Sequence, residues 1–113
     1  MKEAKLEQAK EFKNSDSCIA LEYPLSDKDI NAAVIKLNGR YPGTGRAVNT
    51  KCKEMGYVVE GKGRLVVEDK TVELKKGYVV LIEAGEKYYW EGNLIMFMPC
   101  TPAWTPEQHK LIP

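Results

Sequence analysis

One carboxyl group and one aromatic run are the parts of this 113-residue chain best suited to chemistry. Glu54 stands just before a run of strand-forming residues, and residues 87–90 read Lys-Tyr-Tyr-Trp. Because side chains alternate between the two faces of a strand, Tyr88 and Trp90 should point inward and Tyr89 outward. An aromatic wall beside a carboxylate suits a sugar ring or another small polar molecule. The strand preference of Tyr and Trp alone would explain the same run without any ligand.

Strand alternation predicts which side chains share the inside of a pocket: Thr50, Cys52, Glu54, Tyr88 and Trp90. A carboxylate inside a folded domain needs a hydrogen-bond partner, which Thr50 or Tyr88 could supply. Core packing is the simpler explanation for Cys52 and Trp90. A register slip of one residue would instead place Glu54 on the surface beside its neighbouring lysines.

The chain ends in a Pro-rich segment, residues 99–113, which we expect to form an ordered cap because it contains large apolar side chains. Trp104 could close the mouth of a pocket, where it would join the ligand-binding residues, or pack on a partner subunit. His109 is the single histidine, and its place near the end predicts a solvated surface position. Cys52 could act as a nucleophile only beside a base, and nothing in the sequence brings His109 to it.

Composition excludes several classes of protein. A formal charge of +1, without a basic stripe, argues against a nucleic-acid partner. No apolar stretch is long enough to cross a bilayer, and the charged N-terminus has no signal-peptide core, so we expect no membrane partner. Three cysteines without a C-x-x-C pair indicate free thiols and a reduced, cytoplasmic location.

Short apolar or alternating runs separated by turn residues predict an all-β sandwich or barrel, and the absence of long helical segments excludes a parallel βαβ sheet. The predicted strands are Cys18–Tyr23, Ile30–Leu37, Tyr57–Val59, Leu65–Val67, Thr71–Leu74, Tyr78–Ile82, Lys87–Trp90 and Leu94–Met98. Turns are predicted at residues 61–63 and 92–93. Residues 2–13 could form a short helix. We expect one domain over residues 1–113, with an arm or short helix at 1–17, a barrel at 18–98 and the cap at 99–113.

Two stretches of the chain resemble the motifs of the cupin family. Residues 54–65 are similar to the second half of the first motif, in which a Glu and a hairpin Gly are separated by six residues, here Glu54 and Gly61. Residues 77–88 are similar to the second motif, with Tyr88 in place of its metal-binding His. The resemblance covers roughly residues 18–104. It implies a small double-stranded β-helix, or jelly-roll barrel, that is usually dimeric.

The metal-binding residues of the family are absent from these motifs. Cupins that bind a metal carry a His-x-His pair before the Glu. Those positions fall here on Val48 and Thr50, or on Ala47 and Asn49 with the longer spacing. A transition-metal site needs several converging ligands, typically imidazole nitrogens. We therefore expect no metal and no cofactor, and the resemblance does not carry over the metal-dependent activities.

Three functions remain open from the sequence. The first is a metal-free barrel that binds a small polar ligand, sugar-like or a carboxylic acid. The second is a metal-independent isomerase, epimerase or lyase in which Glu54 is the base and Tyr88 the acid. The third is a dimerisation scaffold whose barrel is filled by Met96, Met98 and aromatic side chains. A homodimer is expected in each case, because a second copy commonly covers an exposed sheet face or edge.

Overall fold

A computed structural model describes the whole chain, Met1–Pro113. Nine strands form one hydrogen-bonded sheet, and the all-β prediction is confirmed: β1 (Lys10–Ser15), β2 (Cys18–Glu22), β3 (Asn31–Tyr41), β4 (Arg46–Asn49), β5 (Lys53–Val67), β6 (Lys70–Lys75), β7 (Val79–Ile82), β8 (Lys87–Thr101) and β9 (His109–Ile112). The helical segments are two 3₁₀ turns at Leu6–Gln8 and Pro106–Gln108. Neither helix has the length or the hydropathy needed to span a bilayer.

Strand β8 organises the sheet because both of its edges are occupied. One edge pairs with β3 and then with β4, and the other pairs with almost the whole of β5. The order β1-β2-β3-β8-β4-β9 forms one side, and β5 brings β6 and β7 to the other. The sheet therefore curls on itself with β8 as the common strand. This is the jelly-roll arrangement that the sequence motifs predicted.

The turns predicted at residues 61–63 and 92–93 are wrong, because β5 and β8 run straight through both. Gly39, Gly92 and Gly63 face one another across β3, β8 and β5 instead. Gly92 has a φ of +136°, and a Cβ atom there would lie 2.4 Å from the Cα atom of Gly63. The glycines are needed because two backbones approach closely where the sheet bends.

The short helix considered for residues 2–13 is also wrong over most of its length. Only Leu6–Gln8 is helical, as a single 3₁₀ turn, and residues 10–15 form β1. Phe12 pairs with Ala20 across a hairpin whose turn is at residues 16–17. Pairing with β2 decides the conformation here, since the weak apolar face of the segment gives a helix nothing to pack against.

Candidate functional site

A cavity of about 80 Å³ lies between the inward faces of the curled sheet and the tail that follows β8. Four of the residues predicted to line a pocket do line it: Glu54, Tyr88, Trp90 and Trp104. Two residues that the sequence analysis did not place there, Tyr41 and His109, complete its polar wall. Met96 and Met98 also face the cavity, so methionines fill part of the barrel and leave a hollow beside them.

The polar wall is built where the last strand pairs with β4. Asn49 and His109 are directly opposed in the β4–β9 register, so their side chains lie on the same face. His109 Nδ1 lies 2.8 Å from Asn49 Oδ1, and His109 Nε2 lies 2.8 Å from the Tyr41 hydroxyl. On its other side, Asn49 Nδ2 donates to Glu54 Oε1 at 2.9 Å. These four side chains form what we call the relay: Tyr41, His109, Asn49 and Glu54.

The direction of each hydrogen bond in the relay follows from Trp104. Its indole Nε1–H can only donate, and it donates to Asn49 Oδ1 at 3.1 Å, which fixes the orientation of the amide. Because the Oδ1 atom can only accept, His109 must carry its proton on Nδ1. In the neutral imidazole Nε2 is then an acceptor, so the Tyr41 hydroxyl donates to it. The relay therefore has one arrangement of protons.

Glu54 is the buried acid of the site. Its side chain is partly buried and lines the cavity. Burial raises the pKa of this carboxyl to about 7, and the hydrogen bond from Asn49 offsets only part of that effect. At neutral pH the carboxyl is therefore present in both its protonated and its ionised form.

The two tyrosines that line the cavity are held as neutral phenols. Burial raises the pKa of Tyr41 to about 12, and the charges of Cys18 and Glu54 act in the same direction. Burial raises the pKa of Tyr88 well above its usual range, as do Glu54 and Tyr41, while a hydrogen bond from Asn49 opposes the shift. Tyr88 can therefore donate a hydrogen bond to an oxygen atom in the cavity.

His109 is not the solvated surface residue that the sequence predicted. Its ring stacks on Tyr41, with centroids 6.1 Å apart, and contacts Trp104 at 5.6 Å. Burial lowers its pKa, so the imidazole is neutral at pH 7. The position near the chain end was misleading because the tail folds back and pairs with β4.

The tail is anchored by two polar side chains. Asn31 Oδ1 accepts hydrogen bonds from the backbone N–H of Trp104 at 3.1 Å and from the Cys100 thiol at 2.8 Å. Gln108 is buried, and its Oε1 atom accepts the backbone N–H of Cys52 at 2.7 Å. Both ends of the segment that carries Trp104 and precedes His109 are thus fixed to the barrel.

Thr50 and Cys52 do not line the cavity, contrary to the sequence-based expectation. Strand β4 ends at Asn49 and the chain bends over residues 50–52, so strand alternation does not continue from Val48 to Glu54. Thr50 is exposed and its hydroxyl donates to the backbone oxygen of the tail at residue 108. Cys52 is 1% exposed and packs behind the cavity wall as a free thiol.

The side chains at the family's metal-binding positions do not fit a transition metal. Glu54 is the one carboxylate among them, and Val48, Thr50 and Tyr88 supply no imidazole nitrogen or thiolate. No group of three or more His, Cys, Asp or Glu side chains converges anywhere in the structure. A single carboxylate is too small a donor set for Fe, Mn, Ni or Zn.

Comparison with known proteins identifies the family of this fold. Residues 40–95 match the family described as Cupin domain, whereas no curated protein matches the sequence. A Pac13 variant from Streptomyces, solved with uridine, is 14% identical with a TM-score of 0.88, over 97% of this chain and 88% of that one. KdgF from a Halomonas species is 14% identical over 92% of this chain and 94% of that one, with a TM-score of 0.73. Ectoine synthase from P. lautus is 15% identical over 100% of this chain and 91% of that one, with a TM-score of 0.74. The chain belongs to the cupin family, as a variant without the metal-binding histidines.

Proposed function

We propose that this chain is a metal-independent acid–base catalyst that eliminates water from a small hydroxylated molecule bound in the cavity. The observation that carries the proposal is the relay, which has the hydrogen-bonded pair Tyr41 and His109 at one end and a buried carboxyl at the other. An elimination needs a base and an acid that can both reach one ligand.

The pKa values of the two ends assign their roles. The pKa of Glu54 is raised to about 7, while that of His109 is lowered from 6.5. The form with a proton on Glu54 and none on His109 therefore outnumbers the reverse form at every pH. Glu54 is the general acid, and His109, acting through Tyr41, is the base. These roles differ from the sequence-based proposal, in which Glu54 was the base and Tyr88 the acid.

In the proposed step, the relay residues accept one proton from the substrate and donate one proton to it. Tyr41 takes a proton from a carbon next to a carbonyl group as its own proton moves to His109 Nε2. Glu54 gives its proton to the hydroxyl group on the neighbouring carbon, the C–O bond breaks, a C=C bond forms and water leaves. Tyr88 donates a hydrogen bond to the carbonyl oxygen, where negative charge develops. Proton transfer from His109 back to Glu54, through solvent, resets the site.

The comparisons support this class of reaction, and the cavity volume limits the size of the substrate. Pac13 is described as a nucleoside dehydratase, so dehydration occurs on this fold. A cavity of about 80 Å³ is below the usual range for ligand pockets, roughly 300–1,000 Å³. The enclosed part of the ligand is therefore a few heavy atoms, and any larger ligand extends out of the mouth.

Proton exchange provides the test. The chelator-treated protein is incubated in D₂O with β-hydroxy aldehydes and ketones, and ¹H NMR follows deuterium entry next to the carbonyl group and loss of water. Both Tyr41→Phe and Glu54→Gln should reduce turnover by about 10²-fold or more, the usual share of a general acid or base. The control, Tyr57→Phe, changes a half-exposed tyrosine on the outer face.

The pH dependence separates catalysis from simple binding. Turnover should rise as His109 loses its proton, below pH 6.5, and fall near pH 7 as Glu54 ionises. Ligand binding without turnover, unchanged by Tyr41→Phe, would mean a binding module. Turnover that disappears with the chelator would contradict a metal-independent reaction.

A further inference from the structure

The cavity lining contains carboxyl groups and aromatic rings beside His109, and it contains no Lys or Arg. Its carboxyls and aromatic rings belong to Glu22, Glu54, Tyr41, Tyr88, Trp90 and Trp104. Carboxylates attract cations, and aromatic ring faces attract them within about 6 Å. An anionic ligand would find no Lys or Arg side chain in this lining with which to pair.

Glu22 is the carboxylate of this lining that has no partner. It lies on the inward face of β2, and no ion pair or side-chain hydrogen bond involves it. Partial burial raises its pKa, so its charge has lost some water. Lys10 faces it across β1, but the Lys10 side chain is exposed and forms no ion pair with it within 4.0 Å. A ligand cation could therefore neutralise Glu22.

Glu22 and Glu54 both line the cavity but lie on different strands, β2 and β5. Cys18 lies close enough to Glu54 for the carboxylate charge to raise the pKa of its thiol. Glu22 is four residues further along the same face of β2, about 13 Å at the usual rise of a strand. A cation beside Glu22 would therefore contact a strand that does not pair with the strand carrying Glu54.

We propose that the ligand of this cavity carries an ammonium group, which Glu22 binds from β2, a strand that carries none of the relay residues. The proposal rests on the proposed function, since it names the class of molecule that the same site accepts. It excludes the carboxylic acids that the sequence left open and favours amino alcohols and amino sugars.

Three small probes of different charge test the proposal: 2-aminoethanol, ethane-1,2-diol and glycolate. They share a two-carbon hydroxylated frame that fits the enclosed volume. Titrations are followed by the ¹⁵N–¹H NMR shifts of the β2 amides and the Trp104 indole. The variant is Glu22→Gln. The matched control, Glu11→Gln, removes the same charge from the opposite face of β1.

We expect 2-aminoethanol to bind at least about tenfold more tightly than glycolate, and Glu22→Gln to weaken it about fivefold without affecting ethane-1,2-diol. Glu11→Gln should change no affinity more than about twofold, because solvent screens its charge. Glycolate binding as tightly as 2-aminoethanol, or equal effects of the two variants, would overturn the ammonium proposal. Failure of 2-aminoethanol to bind would also overturn the ammonium proposal. Neither result would refute the proposed function, because none of the three probes has the β-hydroxy carbonyl group that the elimination needs, and the D₂O experiment tests that function separately.

Discussion

Replacing Glu54 by Gln should change how the stability of the protein depends on pH. The carboxyl titrates near pH 7 in the folded protein and near its ordinary 4.5 when unfolded. The folded state therefore binds this proton more tightly, and its stabilising effect is complete below pH 4.5. That stabilisation is lost as the pH rises to 7. The difference of about 2.5 pH units corresponds to roughly 3 kcal/mol.

Glu54→Gln keeps the shape of the protonated side chain and its acceptor for Asn49, but it cannot ionise. At low pH the variant should differ from the parent by no more than about 1 kcal/mol, the value of one hydrogen bond. Above pH 7 it should be the more stable protein by about 3 kcal/mol. His109 contributes with the opposite sign, because its lowered pKa makes stability rise with pH below 6.5. The difference between variant and parent cancels that contribution.

Urea denaturation followed by tryptophan fluorescence, from pH 4.5 to 8, measures the free energy of unfolding of both proteins. Glu60→Gln is the matched control, because Glu60 lies on the same strand with an exposed carboxylate 3.4 Å from Lys76. It should shift stability by less than about 1 kcal/mol at every pH. Parallel curves for Glu54→Gln and the parent would show that the carboxyl is not held in a dry site, and the assignment of Glu54 as the acid would fail.

Four further predictions concern the relay, the sheet, the metal content and the assembly. Trp104→Phe should lower the free energy of unfolding by about 1–2 kcal/mol. In ¹⁵N NMR, His109 of this variant should show a mixture of its two neutral tautomers in place of Nδ1–H alone. An unchanged tautomer would mean that Trp104 does not orient Asn49. Gly92→Ala should lower the free energy of unfolding, measured in urea, by about 3 kcal/mol more than Gly77→Ala. Both glycines have a positive φ, but Gly77 has open space around it. Equal losses of stability would contradict the close approach of the backbones at Gly92. Elemental analysis should find no stoichiometric Fe, Mn, Ni or Zn, and one such ion per chain would refute the argument that a single carboxylate cannot hold a metal. Light scattering at micromolar concentration should give the mass of a homodimer. A monomer mass would contradict this prediction.

The fold could be predicted from the sequence because its signals are local. Alternating strands and turn residues located most of the elements, and the Glu54–Gly61 spacing pointed to the barrel. The predicted elements were wrong where hydrogen bonding between strands overrides the local sequence pattern. Gly92 is an ordinary turn signal, yet in this barrel it lies in mid-strand opposite Gly63, where only the packing of β8 on β5 requires a glycine.

The candidate site could be predicted only on its β5 and β8 walls. Tyr88 and Trp90 followed from strand alternation, but Tyr41 and Asn49 carried no signal of their own. Their hydrogen bonds to His109 join residues 68 and 60 positions apart. No local pattern encodes such pairings. The one available clue was the apolar content of the tail, which already required the segment around His109 to fold back.

The tail and the relay stabilise one another, and this makes the site a property of the closed fold. Asn49 is 3% exposed, and its oxygen accepts only from Trp104 and His109 among side chains. If the tail detached, that buried oxygen would lose both donors, at a cost of about 1–3 kcal/mol for an unsatisfied buried group. Docking of the tail therefore brings His109 into the relay and orients the Asn49 amide in one step. A barrel without metal ligands thereby gains the hydrogen-bonded groups on which the proposed acid–base chemistry depends.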